Sequence, residues 1–351
     1  MRDLLVSAGV IAVLAAAGAT AVFGEQAVVD DSREPASVLS EDEGGTDLVT
    51  GGFVVPEYGV SVFSDWSVAL GAVFLRRNDP EPRALIVDPQ SGSPLMGTSD
   101  LKPGWGSGPR IELTKWLNRG RELEIEWFGI DNWSNRAEAH NGSPAVGESF
   151  WAPFVFDDVQ AAYGTDLYSL ECNLRWPLFG SRFATGLAGF RWAELKERFS
   201  TDVSAQQGGN TFTNSGTLDL DNHLYGFQLG AESVLWDPAS PFRVEGFLKA
   251  GVYGNHVDWL LATSGDLDNR QWERHASRAS FIGEVALKLS YDVVVGPGWC
   301  WSVFGEYEAL WLADVATAEQ LKDMIVYDTA FYHGVFIGLE IPLGRDAYGG
   351  Y

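Results

Sequence analysis

From Trp66 onward the apolar residues recur at every second position. Trp66, Val68, Leu70, Ala72 and Phe74 share one face, against Ser67, Ala69 and Gly71 on the other. Leu123, Ile125 and Trp127 alternate with Glu122, Glu124 and Glu126, and Tyr168, Leu170, Cys172 and Leu174 with Ser169, Glu171, Asn173 and Arg175. The same rhythm runs through Tyr225–Glu232, Arg243–Val252, Ser280–Leu289 and Trp301–Trp311. A period of two is the signature of a strand with one apolar and one polar face. Between these segments, 118–121, 177–181, 237–241 and 292–298 are brief and rich in turn formers. The stretches at about 77–104, 134–162, 200–219, 259–276 and 313–328 are longer and polar, and read as loops. Short and long connections alternate, which puts every short one at the same end of a sheet. That asymmetry predicts an all-β fold, a transmembrane antiparallel up-and-down β-barrel with short periplasmic turns and long outer loops. The segments number about ten, and strands hidden at Ala84–Val87 or Phe154–Phe156 would bring the total to about twelve.

The direction of the apolar face decides between a membrane barrel and a water-soluble sandwich. Trp301 and Trp311 share a face ten residues apart, roughly 33 Å of strand. At a tilt near 40° this projects to about 25 Å, the height of a lipid-facing band between aromatic girdles. Trp116, Trp176, Trp236 and Tyr291 lie by the short turns, and Trp133, Tyr163, Tyr253 and Phe331 toward the long loops. The expected girdle is therefore Trp116, Trp133, Trp176, Tyr253, Trp301 and Trp311. With the apolar face toward lipid, the lumen receives Glu112, Glu122, Glu124, Glu126, Glu171, Glu232, Glu245, Glu284, Glu306, Glu308 and Glu340, with Arg110, Arg175, Arg243, Lys249 and Lys288. About eight strands leave room only for side chains and sixteen leave an aqueous channel, so this size sits between the two. An ion-pair network filling the lumen is one reading. An open pore whose surplus carboxylates favour small cations is the other.

Composition narrows the classes. The 351 residues carry 48 acidic and 24 basic side chains, a net charge of −24. Such a chain does not neutralise phosphates, which excludes a nucleic-acid partner. Two cysteines exclude a disulfide scaffold and a thiolate cluster. Leu4 to Phe23 is nearly all apolar after Arg2, with small residues before cleavage points at Ala21 or Gly24; residues 1–24 read as a secretory signal peptide. Residues 25–64 read as an acidic tether, 65–343 as the barrel and 344–351 as a tail.

Candidate chemistry is sparse. None of His140, His223, His256, His275 and His333 forms an HxxxH spacing, and no HExxH or CxxC is present, so neither metal nor cofactor is expected. His256 and Asp258, near His275 and Glu273, form the one grouping with acid/base or metal character, at an outer rim. Neither a G-x-S-x-G elbow nor a P-loop occurs, and the chain reads as no enzyme. Cys172 and Cys300 fall on strands too far apart around a barrel to bridge. Thr317-Ala-Glu-Gln320 reads as a capping box opening a short loop helix.

Several runs resemble a known family. Gly104-Trp-Gly-Ser-Gly-Pro-Arg110-Ile111 and Leu187-Ala-Gly-Phe-Arg-Trp-Ala-Glu-Leu195 look like the β-barrel porins of planctomycete outer membranes. Asn222-His-Leu-Tyr-Gly-Phe-Gln-Leu-Gly230 and Phe304-Gly-Glu-Tyr-Glu-Ala-Leu-Trp-Leu-Ala-Asp-Val315 fit the same pattern. That family is similar to the Legionella-type pore-forming major outer-membrane proteins. The resemblance spans roughly 66–343. It implies a Gram-negative outer-membrane protein, monomeric or weakly oligomeric, with lipid as its partner and small solutes or ions as cargo. It supplies no catalytic residues. A departure lies at the C-terminus, where Phe331–Leu343 reads as the last strand and Tyr351 follows Gly349-Gly350, away from the strand end that such barrels commonly close with an aromatic residue. Passive diffusion is the function expected. The alternatives are a plugged barrel that binds through its loops and, behind it, a hydrolase at the barrel rim.

Overall fold

Alternation of chemistry along the chain becomes alternation of facing in the structure. The computed structural model describes residues 53–54, 61–62, 66–78, 82–117, 120–145, 155–180, 183–237, 241–266, 269–296, 299–318 and 324–343. The signal-peptide segment, nearly all of the tether and the tail lie outside the described residues. In chain order the strands are β1 (Phe53–Val54), β2 (Ser61–Val62), β3 (Trp66–Arg77), β4 (Ala84–Val87), β5 (Pro94–Gly97), β6 (Trp105–Trp116), β7 (Glu122–Pro144) and β8 (Phe156–Pro177). They continue as β9 (Ala184–Gln207), β10 (Asn210–Trp236), β11 (Phe242–Gly265), β12 (Arg270–Gly296), β13 (Trp299–Ala316) and β14 (Tyr327–Leu343). β1 and β2 pair only with each other. Of the twelve strands in the main sheet, ten close into an antiparallel barrel, with β14 against β3 and β7 against β8. β4 and β5 form a hairpin on the edge of β7, where Ile86 pairs with Pro144. Ala84–Val87 is therefore a strand, but not a spanning one. Phe156 begins β8 and adds no separate strand.

The barrel walls are uneven. β3 and β6 have 12 residues each, whereas β9 and β11 have 24 and β10 and β12 have 27. A 24-residue strand is roughly 80 Å long and, at a tilt near 40°, about 60 Å tall. A lipid-facing band takes up only about 25 Å of that. The tall strands β7 to β12 rise above the band as a curved wall.

This overturns the expected loops at 134–162, 200–219 and 259–276, which are largely strand. The alternation keeps its phase but the chemistry of the two faces swaps. Low on β10, Phe227 and Leu229 face outward and Gln228 inward; higher up, Asp219, Asp221 and His223 face outward, and Leu218, Leu220 and Leu224 are buried. β8 changes from outward Leu170 with inward Glu171 to outward Asp166 with inward Leu167 and Tyr163. β11 changes from outward Val252 with inward Lys249 to outward His256 and Asp258 with inward Val257, Trp259 and Leu261. The lower barrel is built for lipid outside and the upper wall for water outside. Carried on charged outward residues, the upper wall reads as loop by composition alone. Gly208 and Gly209, at φ +62° and +85°, turn β9 directly into β10. Glycine takes two such successive positive values without steric cost, which suits a two-residue hairpin. At the opposite end, the connections at 117–121, 178–183, 237–241 and 297–298 are short.

The inner face of the upper wall is covered from within the chain. Leu85, Ile86 and Met96 of the β4–β5 hairpin, Leu101 of the following 3-10 turn, Ala316 at the end of β13 and Ala318 just beyond it pack with Phe156, Val159, Phe199, Val203, Leu218, Leu220, Val257, Trp259 and Leu261. The covering segment is tied to β7, where Trp133 Nε1 donates to the Pro103 carbonyl at 3.0 Å and Asn135 Nδ2 to the Lys102 carbonyl at 2.9 Å. The expected loop helix runs through Met324; Thr317, Ala318 and Met324 are not helical, and 319–323 lie outside the described residues.

Candidate functional site: a filled lumen and an outer-wall histidine cluster

The sixteen acidic and basic residues assigned to the lumen from sequence fall on the inward face of their strands. They meet in two groups. Around the axis, Arg110 lies 2.7 Å from Glu308, 3.0 Å from Glu126 and 3.3 Å from Glu306, and its guanidinium sits 4.4 Å over the Phe336 ring. Lys249 Nζ reaches Glu171 at 3.1 Å, Glu284 at 3.2 Å and Glu126 at 3.6 Å. Toward the turn end, Arg175 pairs with Glu124 at 2.9 Å, Glu122 at 3.5 Å and Glu232, while Lys288 faces Glu340 at 3.7 Å and Arg243 faces Glu245 at 3.1 Å. Glu112 accepts from Thr114 Oγ1 at 3.4 Å.

Sequence reasoning missed the most buried cation. Arg191, 1% exposed, contacts Glu171 at 2.9 Å and Glu284 at 2.8 Å and donates to Ser169 Oγ at 3.0 Å. It sits within the Phe190-Arg191-Trp192 run, and its parity with the inward Ala193 and Leu195 was the signal available. Neutral groups complete the layer. Gln228 Nε2 donates to Glu171 at 2.6 Å and to Asn173 Oδ1 at 2.8 Å, and Tyr253 OH donates to Gln228 Oε1 at 3.1 Å. Charges taken from water persist in such a layer only when paired and hydrogen-bonded throughout.

Above it the lumen is apolar. Val73, Leu75, Phe128, Ile130, Leu167, Ala193, Leu195, Leu224, Tyr253, Ile282, Leu310, Leu312 and Tyr332 form one buried cluster to which every barrel strand but β6 contributes. A polar clasp sits on top. β13 leaves β12 beyond the Phe281–Ala313 pair, turns at Asp314 (φ +60°) and crosses toward β10. There Asn222 Nδ2 donates to the Ala316 carbonyl at 3.0 Å, and Ala316 N donates to Asn222 Oδ1 at 2.8 Å. Ala318 N donates to Glu197 at 2.7 Å, and Glu197 also pairs with Arg77. Burial beneath the cover pushes the Glu197 carboxyl above its ordinary value, against the opposing pull of Arg77.

The aromatic girdle divides. Trp176, Trp301 and Trp311 face outward, and Trp311 packs on Phe331 with ring centroids 5.0 Å apart. Trp133 and Tyr253, expected in the girdle, are instead 4% and 1% exposed inside the barrel. Their parity places them inward: an irregularity between Ile130 and Trp133 resets β7, and Tyr253 shares the face of Lys249. Tyr163 is likewise buried. Trp116 falls on the inward-facing set of β6 at its turn end. Outward Trp105, Tyr225 and His333 supplement the outer aromatics instead, with Trp105 and His333 rings 6.0 Å apart. Cys172 is free and faces outward, and the Cys300 side chain lies outside the described residues.

On the outer face of the upper wall, strand register brings polar side chains together. His223 pairs with His256 across β10–β11, and Asp258 with His275 across β11–β12. His275 Nδ1 lies 2.6 Å and His256 Nε2 3.4 Å from Asp258 Oδ1, while His223 Nε2 lies 3.6 Å from Asp258 Oδ2. Below and beside them an open depression of about 610 Å³ is lined in part by Asp166, Lys196, Asp219, Asp221, Glu273 and His275. Burial pushes the Asp166 and Asp221 carboxyls above their ordinary value, with Lys196 opposing in both cases. The grouping expected at a rim is thus a cluster on the outside of a wall.

No family model matches the chain, the porin family of the sequence resemblance included, and no curated protein matches it in sequence. Among solved structures, the outer membrane protease OmpT from Escherichia coli is 10% identical with a TM-score of 0.38, over 79% of this chain and 95% of that one. A FadL homologue of Pseudomonas aeruginosa is 11% identical with a TM-score of 0.26, over 78% and 88%. A deletion mutant of the monoaromatic hydrocarbon channel TodX is 8% identical with a TM-score of 0.29, over 81% and 91%. At these values no activity transfers to this chain, and the barrel rests on its own strand pairing.

Proposed function

We propose that this chain is a closed, non-conducting outer-membrane barrel, anchored by its lower half in lipid and presenting its upper wall to the aqueous side. The observation that carries the reading is the apolar cluster from Val73 to Tyr332, which fills the lumen above the ion-pair layer and lies beneath the Asn222–Ala316 clasp. A conducting pore needs a wetted path, and a layer of buried apolar side chains drawn from nine of the ten barrel strands opposes one. The role supported is that of a structural or surface-interacting protein, acting as a monomer or weak oligomer with lipid as its standing partner. The porin-like alternative rests on the surplus of inward carboxylates and requires that the apolar layer open. Vesicles reconstituted with the protein should swell in an isosmotic sugar no faster than empty vesicles. Swelling that falls with increasing sugar size would establish diffusion through the lumen instead.

A further inference from the structure

We propose that His256, His275 and Asp258 form a site for a divalent metal ion of the zinc class on the outer wall, independent of whether the lumen conducts. The ligand-capable atoms of these three residues all lie within 4.8 Å of one another. Two imidazole nitrogens and one carboxylate oxygen, with outward positions left to water, suit a borderline cation such as Zn²⁺. Two of the side chains, His256 and His275, are more than half exposed, which leaves an entry path.

The arrangement is fixed by strand geometry. His256 and Asp258 stand two residues apart on one face of β11, and His275 stands opposite Asp258 on β12. The rings of His256 and His275 are parallel within 4°, with centroids 6.2 Å apart, so both present edges toward the same carboxylate oxygen. The neighbouring groups orient the ligands as metal sites require. His256 Nδ1 lies 3.1 Å from Ser277 Oγ, leaving Nε2 directed at the site. Asp258 Oδ2 faces His223 Nε2, and the other nitrogen of His223 lies 3.2 Å from Glu194. A carboxylate–histidine–carboxylate relay thus holds Asp258 from behind, the kind of outer support that fixes ligand orientation. His140 and Asp158 make a comparable exposed pair, 2.7 Å apart, but without a second imidazole at ligand distance they provide an internal control.

The test is calorimetric titration of untagged, chelator-stripped full-length protein in detergent with ZnCl₂. The expected result is one saturable Zn²⁺ per chain, weakened at least tenfold by His256→Ala, by His275→Ala and by Asp258→Asn. His223→Ala should weaken binding by about tenfold, as removal of an outer-shell partner typically does, and His140→Ala should leave it unchanged. Heat-modifiable electrophoretic mobility reports that each variant is folded. Absence of a saturable site would overturn the proposal. So would a site that survives in a folded His256→Ala/His275→Ala double variant, or one lost equally in His140→Ala.

Discussion

Replacing Asn222 with alanine tests how the upper lumen is held shut. Asn222 is fully buried, and its amide engages both the N–H and the carbonyl of Ala316, itself fully buried. It also accepts from Asn255 Nδ2 at 3.0 Å and donates to the Leu195 carbonyl at 3.3 Å. Truncation strands both polar groups of Ala316 at about 1–3 kcal/mol each, so the loss expected is about 2–6 kcal/mol. Asn255→Ala removes a single neutral bond and should cost about 1 kcal/mol. Urea unfolding in micelles, followed by tryptophan fluorescence, gives the stability difference, and hydrogen exchange over 313–318 reports the clasp itself. The reasoning predicts that protection at Ala316 collapses while that of Leu195 on β9 persists. A loss below about 0.5 kcal/mol, small beside the cost of one stranded group, with Ala316 still protected, would refute it.

Other perturbations address the remaining layers. Leu229 faces outward in the lipid band at 68% exposure, and Leu229→Arg should cost about 2–4 kcal/mol in bilayers; equal stability of variant and parent would contradict lipid contact there. Lys249→Met removes the cation common to Glu171, Glu284 and Glu126, leaving Arg191 on the first two and Arg110 on the third, and a loss approaching but not exceeding about 3–5 kcal/mol is expected, read from urea midpoints. The Glu197 carboxyl has a raised folded pKa, so the folded state holds its proton more tightly than the unfolded one. Its contribution is favourable at low pH and fades as pH rises from the ordinary carboxylate range through the raised value. The stability of the parent relative to Glu197→Gln should therefore fall over that window, and a flat or rising difference would count against burial of this group. Gly334 lies where an added Cβ would collide with the Phe74 carbonyl at the β14–β3 seam, and Gly334→Val should prevent closure, seen as loss of heat-modifiable mobility.

The lower barrel was legible because its two faces differ in the usual membrane sense: Leu170 and Leu174 against Glu171 and Asn173 announce both strand and orientation. The upper wall was not, although Leu218, Leu220, Val257, Trp259 and Leu261 keep the same period. Their polar partners Asp219, Asp221 and Asp258 made those stretches look like loops, and nothing local marks the level at which water replaces lipid. Arg191 was legible by parity but hidden within an aromatic run. The Asn222–Ala316 and Glu197–Ala318 contacts bridge 94 and 121 residues, and no periodicity reports a strand end that parts from one neighbour, keeps the other and reaches a distant strand. The histidine cluster was half visible. His256 and Asp258 on one face follow from spacing, whereas the approach of His275 and His223 depends on register across three strands.

The most direct test of a sealed lumen is single-channel recording of refolded protein in a planar bilayer bathed in symmetric KCl. The account predicts insertion without current steps, with insertion confirmed independently by heat-modifiable mobility of the recovered protein. Reproducible unitary steps, carrying K⁺ in preference to Cl⁻, would show that the apolar layer between the ion pairs and the clasp opens, and would contradict it.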